Sequence, residues 1–282
     1  MNGPMWPVFS GVDFARGRLF DTSDLDEARQ VCGRVFNPHE LRLVGRGQRL
    51  RSRMDHLPLG GVSLSRLTWG ARVAVDPDHL GHYYLLSVPV AGSACFHLGG
   101  QLFDVSPRCA AIVNAAQRFH FEADADFDQI CVRFERRAVD AAWRGLTGAA
   151  PNEPVEFAPS LPLRGATWRA LEPVLGLLAR CARGEYPRQA LPHVMARVEE
   201  MMLTTLLLHQ APALTVGEGG DGGGGGSHAQ WPLATSPASL RRAQEHMREH
   251  LDEPLTLAAV ARAGGVAVRT LFLEASVETL VR

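Results

Sequence analysis

The segment GEGGDGGGGGSHAQWPLATSP, residues 217–237, does most to limit how this chain can fold. Glycine loses more backbone freedom on ordering than any other residue, and the run carries few apolar side chains whose burial could offset that loss. The composition predicts a flexible tether, with separately folded units on either side. The expected division is a first unit over 1–212, a linker over 213–237 and a short helical unit over 238–282. A surface insertion within one domain is the alternative, and the change of sequence character across the segment argues against it.

The unit after the tether contains TLAAVARAGGVAVRTL, from Thr256 to Leu271. This reads as a short amphipathic helix, a glycine turn and the opening of a second helix, which is helix-turn-helix geometry. Thr256 is the expected N-cap, its hydroxyl accepting from an amide of the first turn. Leu257, Val260 and Ala261 share one face at helical spacing, while Gly264 and Gly265 end the helix because glycine enters left-handed backbone space freely. Val266 and Leu271 would anchor the second helix. Its DNA-facing set would be Ala267, Val268, Arg269, Thr270 and Phe272, with Arg269 suited to a guanine edge or a phosphate. A helical hairpin that never meets nucleic acid fits the same short pattern. Upstream, Ser236 caps a further expected helix, with Pro237 at its first position and Leu240, Ala243, Met247 and Leu251 on one stripe.

The stretch REHLDEPLTLAAVARAGGVAVRTLF resembles the first helix-turn-helix of the AraC/XylS family of bacterial transcription regulators. Departures begin within the second helix. Where that family usually places a capping Ser this chain has Ala267, a missing bond worth about 1 kcal/mol. Leu273 and Ala275 stand where the family tends to carry a basic residue and an aromatic one, and EASVETLVR does not follow the family pattern. The resemblance therefore implies a regulator whose DNA binding is impaired by a carboxy-terminal truncation, without the family's second helix-turn-helix. Charge agrees: beyond residue 237, Arg241, Arg242, Arg248, Arg262, Arg269 and Arg282 are offset by Glu245, Glu249, Asp252, Glu253, Glu274 and Glu278. A neutral segment lacks the electrostatic footprint that drives phosphate binding.

Ahead of the tether, from about Gly61 to Glu135, short alternating segments recur between turn signals: GVSLSRLTWGARVAV, HYYLLSVPV, ACFHL, GQLFDVS, CAAIVNA, RFHFE and FDQICVRFE. Breaks are expected at Asp76-Pro77, Ala91-Gly92, Gly99-Gly100 and Ser106-Pro107. Many short strands at such spacing predict a β-barrel or sandwich. The run from Tyr83 to Glu135, with its VPVAG, GGQLFDVSP and ADFDQ segments, also resembles the cupin-like sensor half of AraC/XylS proteins, and DLDEARQVCGRVFNPHEL is similar to their amino-terminal helix. The fold class expected is α+β: a cupin-like barrel or sandwich with flanking helices, a Gly-rich linker, and an all-α helix-turn-helix domain.

From Ala166 to His209 the period becomes helical. ATWRALEPVLGLLARCARG predicts a helix that begins or bends at Pro173 and ends at Gly184, and LPHVMARVEEMMLTTLLLHQ a second. Val194, Val198, Met201, Met202 and Leu206 form a seam opposite Arg197, Glu199 and Glu200. The seam serves either the intrachain core or, as the resemblance implies, a homodimer.

The formal net charge of -1 gives no whole-chain field for nucleic acid, so any DNA contact must be local. Every Lys/Arg position is Arg, which reflects source composition rather than function. Cys32, Cys95, Cys109, Cys131 and Cys181 are odd in number and contain no C-x-x-C pair, which predicts reduced, mostly buried thiols in a cytoplasmic protein. The start MNGPMWPVFSGVDF lacks the form of a signal peptide, and no stretch reaches membrane-spanning length.

No enzyme is expected. There is no H-x-H and no G-x-S-x-G, and the glycine run lacks the lysine and the context of a phosphate loop. His79 and His82 sit near the mouth of a strand, while His120 and Glu122 share a strand face and His97 lies on another strand; scattered ligands of this kind seldom form a metal site, so neither metal nor cofactor is expected. The barrel is read as a pocket for a small organic effector, with Trp69, Tyr84, His97, His120 and Arg133 as candidate lining. Arg133 would suit a carboxylate such as an aromatic acid. The resemblance implies promoter DNA, an effector, a second copy of the chain and RNA polymerase as partners. A dimerising, effector-binding protein without DNA activity is the second reading, and a metal-dependent cupin enzyme the third.

Overall fold

In the computed structural model, the structure describes residues 8–98, 100–211, 246–247 and 256–264. The second helix of the expected DNA-reading unit, with Ala267, Val268, Arg269, Thr270 and Phe272, lies outside the described residues, as do the tether and most of the helix expected after Ser236.

Two antiparallel sheets make up the body. The larger runs β1 (Arg18–Thr22), β3 (Ser52–Leu59), β4 (Val62–Thr68), β11 (Asp128–Glu135), β6 (Tyr83–Ala91), β9 (Cys109–Val113) and β12 (Ser160–Pro162) in spatial order. The smaller runs β2 (Glu40–Leu43), β5 (Val73–Asp78), β10 (Phe119–Ala123), β7 (Ala94–Leu98) and β8 (Gln101–Val105). Strand alternation sends residues into two separate apolar clusters. Tyr83, Leu85 and Cys131 enter the cluster shared with Phe96, Phe119 and Phe121 of the smaller sheet. Their neighbours Tyr84, Leu86, Val132 and Phe134 enter a second cluster with the helices. The larger sheet is thus covered on both faces, which explains why β6 reads as a continuous apolar run.

Helix α1 (Leu25–Val35) starts at Asp24, whose carboxylate accepts from the amides of Asp26 and Glu27. The second cluster is filled by α2 (Arg136–Thr147), α3 (Ala166–Arg183) and α4 (Leu191–Gln210). Helix α3 begins at Ala166 and continues through Pro173 instead of beginning there. Pro173 and Arg169 are both exposed, so the carbonyl that loses its amide partner faces solvent. On α4, Val198, Met202 and Leu206 are buried as the seam requires, whereas Met201 is exposed. Glu199 is half-buried beside Gly61 rather than out in solvent, and burial pushes its carboxyl up. Among the described residues no helix is long and apolar enough to cross a membrane.

Two parts of the strand reading are corrected. β1, β2 and β3 precede the expected start of strands at Gly61. GVSLSRLTWGARVAV holds two strands, β4 and β5, and β5 continues through Pro77 to Asp78 instead of breaking at Asp76-Pro77. RRAVDAAWRGLT forms α2, with Gly148 at φ 80° as its left-handed C-cap. Helix α5 (Leu257–Gly264) is the first helix of the expected helix-turn-helix. Thr256 caps it as the sequence predicts, its hydroxyl accepting from the Ala259 amide at 3.2 Å. Helix α5 rests against α2, with Val260 buried and Thr256 over Gly148.

Candidate functional site

Between the two sheets lies a cavity of about 50 Å³. Leu67, Trp69, Tyr83, Leu85, Gln129 and Cys131 come from the larger-sheet side, Phe96, Phe119 and Phe121 from the smaller sheet, and Cys32, Phe36, Asn37 and His39 from α1 and the segment after it. The amide of Asn37 donates to the carbonyls of His79 and Leu80 at 2.8 and 3.0 Å, fastening that segment across the end of the sandwich. His39 and Pro77 belong both to this wall and to an open cleft of about 630 Å³ that also carries Arg29, Arg34, Glu40 and Asp76. These two residues therefore stand between the interior and solvent.

The interior is apolar apart from a few groups. Ser87 donates to the Gln129 carbonyl oxygen at 2.6 Å, and both side chains are buried. The Trp69 indole N–H, the Tyr83 hydroxyl and the His39 Nε2 are buried without a hydrogen-bond partner among the described residues. All three atoms are enclosed by neighbouring side chains, and the surface of the cavity itself is almost wholly apolar. His39 Nδ1 lies 2.9 Å from the Asn37 carbonyl, and burial holds the imidazole below its ordinary pKa, so the ring is neutral with its proton on Nδ1. Burial also pushes the Cys131 thiol up to about 12 and raises Cys32, so both stay protonated. All five cysteines are free.

The five residues proposed from sequence for an effector pocket part company here. Trp69 lines the cavity. Tyr84 does not: alternation on β6 turns it to the helix side, where its hydroxyl donates to the Val155 carbonyl at 2.6 Å and its ring stacks on Phe134. His97 and His120 pair across β7 and β10 with their rings stacked at 4.2 Å, on the outer face of the smaller sheet, because Phe96 and Phe121 take the inward positions. Glu122 pairs with Arg72 at 3.2 Å. Among the described residues no cluster of three or more His, Cys, Asp or Glu could hold a metal ion. Arg133 lies outside the cavity wall, with its guanidinium 4.4 Å above the Tyr83 ring and paired to Glu135 at 3.0 Å. Trp69 is the one wall residue that sequence reasoning found; those it missed include Tyr83, His39, Cys32, Cys131, Gln129 and the inward phenylalanines.

Comparison with known proteins bears on the same region. The AraC-binding-like domain family matches residues 28–208. A protein of Rhodococcus erythropolis described as "Probable thc operon regulatory protein" is 27% identical over 264 residues, covering 90% of this chain and 74% of that protein. Among solved structures, the AraC-like transcriptional activator CuxR matches with a TM-score of 0.49 and 13% identity, over 90% of this chain and 86% of that one. A cupin-2 domain protein of Rhodospirillum rubrum matches with a TM-score of 0.26 and 16% identity, over 34% of this chain and 69% of that one.

Proposed function

The chain belongs to the AraC-binding-like domain family, and from that premise we propose that it is a transcription regulator in which a small effector taken up between the two sheets governs how the segment beyond the tether meets promoter DNA. The observation that carries this reading is the apolar cavity between the two sheets, whose lining residues all fall within the matched residues 28–208. A ligand that packs against that apolar wall better in one conformation of the protein than in another would shift the population towards the first. Support for the DNA arm comes from α5, whose Thr256 cap and buried Val260 fit the first helix of a helix-turn-helix.

Helix α5 lies on α2, and α2 packs against α4. Between α2 and α4 runs a cleft of about 410 Å³ lined by Ala138, Ala142 and Gly145 on one side and Ala196, Glu199 and Leu203 on the other. Effector uptake is relayed through these helices to α5. A second copy of the chain meets the exposed Met201 side of α4 in this reading.

The test is a fluorescence-anisotropy titration of the full chain against the DNA upstream of its own coding sequence and against a scrambled duplex, at two salt concentrations. Tighter binding to the upstream duplex, weakening as salt rises, is the expected result. Equal, salt-insensitive binding to both would refute the DNA arm and favour the dimerising, effector-binding alternative, towards which the balanced charge beyond residue 237 already leans.

A further inference from the structure

We propose that the loop joining β2 to β3 is a phosphate-binding surface through which the body of the protein holds the backbone of duplex DNA. This rests on the regulator reading above and adds where the electrostatic part of DNA binding resides.

The first ground is charge. Between Glu40 and Asp55 the sequence holds Arg42, Arg46, Arg49, Arg51 and Arg53 and no Asp or Glu. The whole chain carries a formal net charge of -1, so everything outside this stretch is net acidic. All five arginines are exposed. Arg53 pairs with Asp21 at 2.7 Å, and the other four side chains have no ion-pair or hydrogen-bond partner among the described residues. Acids on neighbouring strand ends are engaged elsewhere: Glu122 holds Arg72, Asp128 holds Arg66, and Asp124 accepts from the Ser93 hydroxyl. Guanidinium groups gathered in this way repel one another, and a polyanion relieves that repulsion.

The second ground is the backbone that carries them. The Val44 amide donates to the Arg72 carbonyl at 2.8 Å and the Arg51 amide to the Trp69 carbonyl at 3.1 Å, so both ends of the loop are fastened to the connection between β4 and β5. Leu41 and Leu50 are buried in the cluster between the sheets and anchor it from within. Between those fastenings Gly45 and Gly47, at φ 98° and 72°, turn the chain through left-handed backbone. The arginines thus project from a fixed base, and contact with phosphate orders their side chains but not the loop.

Duplex DNA suits this surface better than a membrane does. Leu50 is turned inward and no large apolar side chain stands exposed between Arg42 and Arg53, so nothing here would enter a bilayer. A guanidinium donates to two phosphate oxygens at once. Beyond residue 237 the arginines are matched by acids, so the positive charge that phosphate contact needs has to come from another part of the chain.

Fluorescence-anisotropy titration of the full chain against the upstream and scrambled duplexes, at about 50, 100 and 200 mM salt, tests the loop. The parent is compared with the triple variant Arg46→Gln, Arg49→Gln, Arg51→Gln and with a control of equal charge change, Arg108→Gln, Arg188→Gln, Arg197→Gln. The loop triple should bind both duplexes at least about tenfold more weakly, and its slope of log affinity against log salt should be shallower by about 3, since each phosphate contact contributes about 0.9. The control should keep the parent's slope. Arg49→Gln alone should lower the slope by about 1 and decides the matter if circular dichroism shows that the triple variant fails to fold. An unchanged slope in the loop variants, an equal fall in the control, or tighter binding of the parent to phosphatidylglycerol vesicles than to either duplex would each overturn the proposal. Equal binding of the parent to both duplexes, with a slope that the loop triple lowers, upholds the loop and removes the promoter reading. Preference for the upstream duplex with an unchanged slope in the loop triple does the reverse, and no binding to either duplex overturns both.

Discussion

Tyr83 and Tyr84 are consecutive on β6, both 0% exposed, and the same substitution should move stability in opposite directions at the two positions. Tyr84→Phe removes a hydroxyl that donates to the Val155 carbonyl at 2.6 Å, while the ring keeps its stack on Phe134 and its edge contact with Phe157. Leaving a buried acceptor without this donor costs about 1–3 kcal/mol. Tyr83→Phe removes a buried hydroxyl that has no partner among the described residues, and the ring remains 4.4 Å beneath the Arg133 guanidinium. An unmet buried hydroxyl costs about 1–3 kcal/mol on mutational scales, and removing it returns a part of that. The two variants should therefore differ by roughly 2–4 kcal/mol, and for a domain of this size each kcal/mol moves the melting temperature by about 2–4 °C. Urea unfolding followed by tryptophan fluorescence reads the shift in midpoint at constant slope. If it loses as much stability as Tyr84→Phe, the Tyr83 hydroxyl is hydrogen-bonded in the folded protein and the reasoning fails.

Acid should destabilise the fold. Burial lowers the pKa of both His39 and His56 below the ordinary 6.5, so just under that value the unfolded chain binds more protons than the folded one. Stability present above pH 6.5 is lost as pH falls towards the folded values, and a urea midpoint that rises between pH 7.5 and 5 would contradict this. Gly92 has φ +66° and a Cβ there would meet the Asp126 carbonyl carbon at 2.5 Å, whereas Gly100 at φ +80° has nothing within 4 Å. Gly100→Ala should lose only the left-handed penalty of about 1–2 kcal/mol and Gly92→Ala clearly more, so equal losses in calorimetry would refute the backbone clash. Val260→Asp places a charge at a position 5% exposed on α5. Amide exchange in α5 should accelerate at least about tenfold, and unchanged protection would show that Val260 is not what holds the helix down.

How far the sequence discloses this molecule depends on how many faces of each element are covered. Helix α4 is legible from its helical apolar period, although Leu206, Leu207 and Leu208 are all buried and widen its covered face towards the end, and Thr256 declares itself as a cap because capping is a local bond. On β7 and β10 the alternation is legible too: Phe96 and Leu98 flank His97, and Phe119 and Phe121 flank His120, so one inward row of aromatics already requires both histidines to face outward. That signal was present in the sequence, and it removes both residues from the cavity. β6 is different. Helices cover one face and the second sheet the other, every position becomes apolar, and nothing in YYLLSVPV says whether Tyr83 or Tyr84 turns towards the cavity. β1 to β3 hid for a related reason, since polar residues such as Arg53, Asp55 and His56 break the expected pattern within them and are satisfied only by partners distant in sequence; Asp55 is held by Arg18. The closing wall of the cavity is the least legible part, because Cys32 and His39 come from a helix and a connecting segment with no strand periodicity, and only the fold brings them to Gln129 and Cys131.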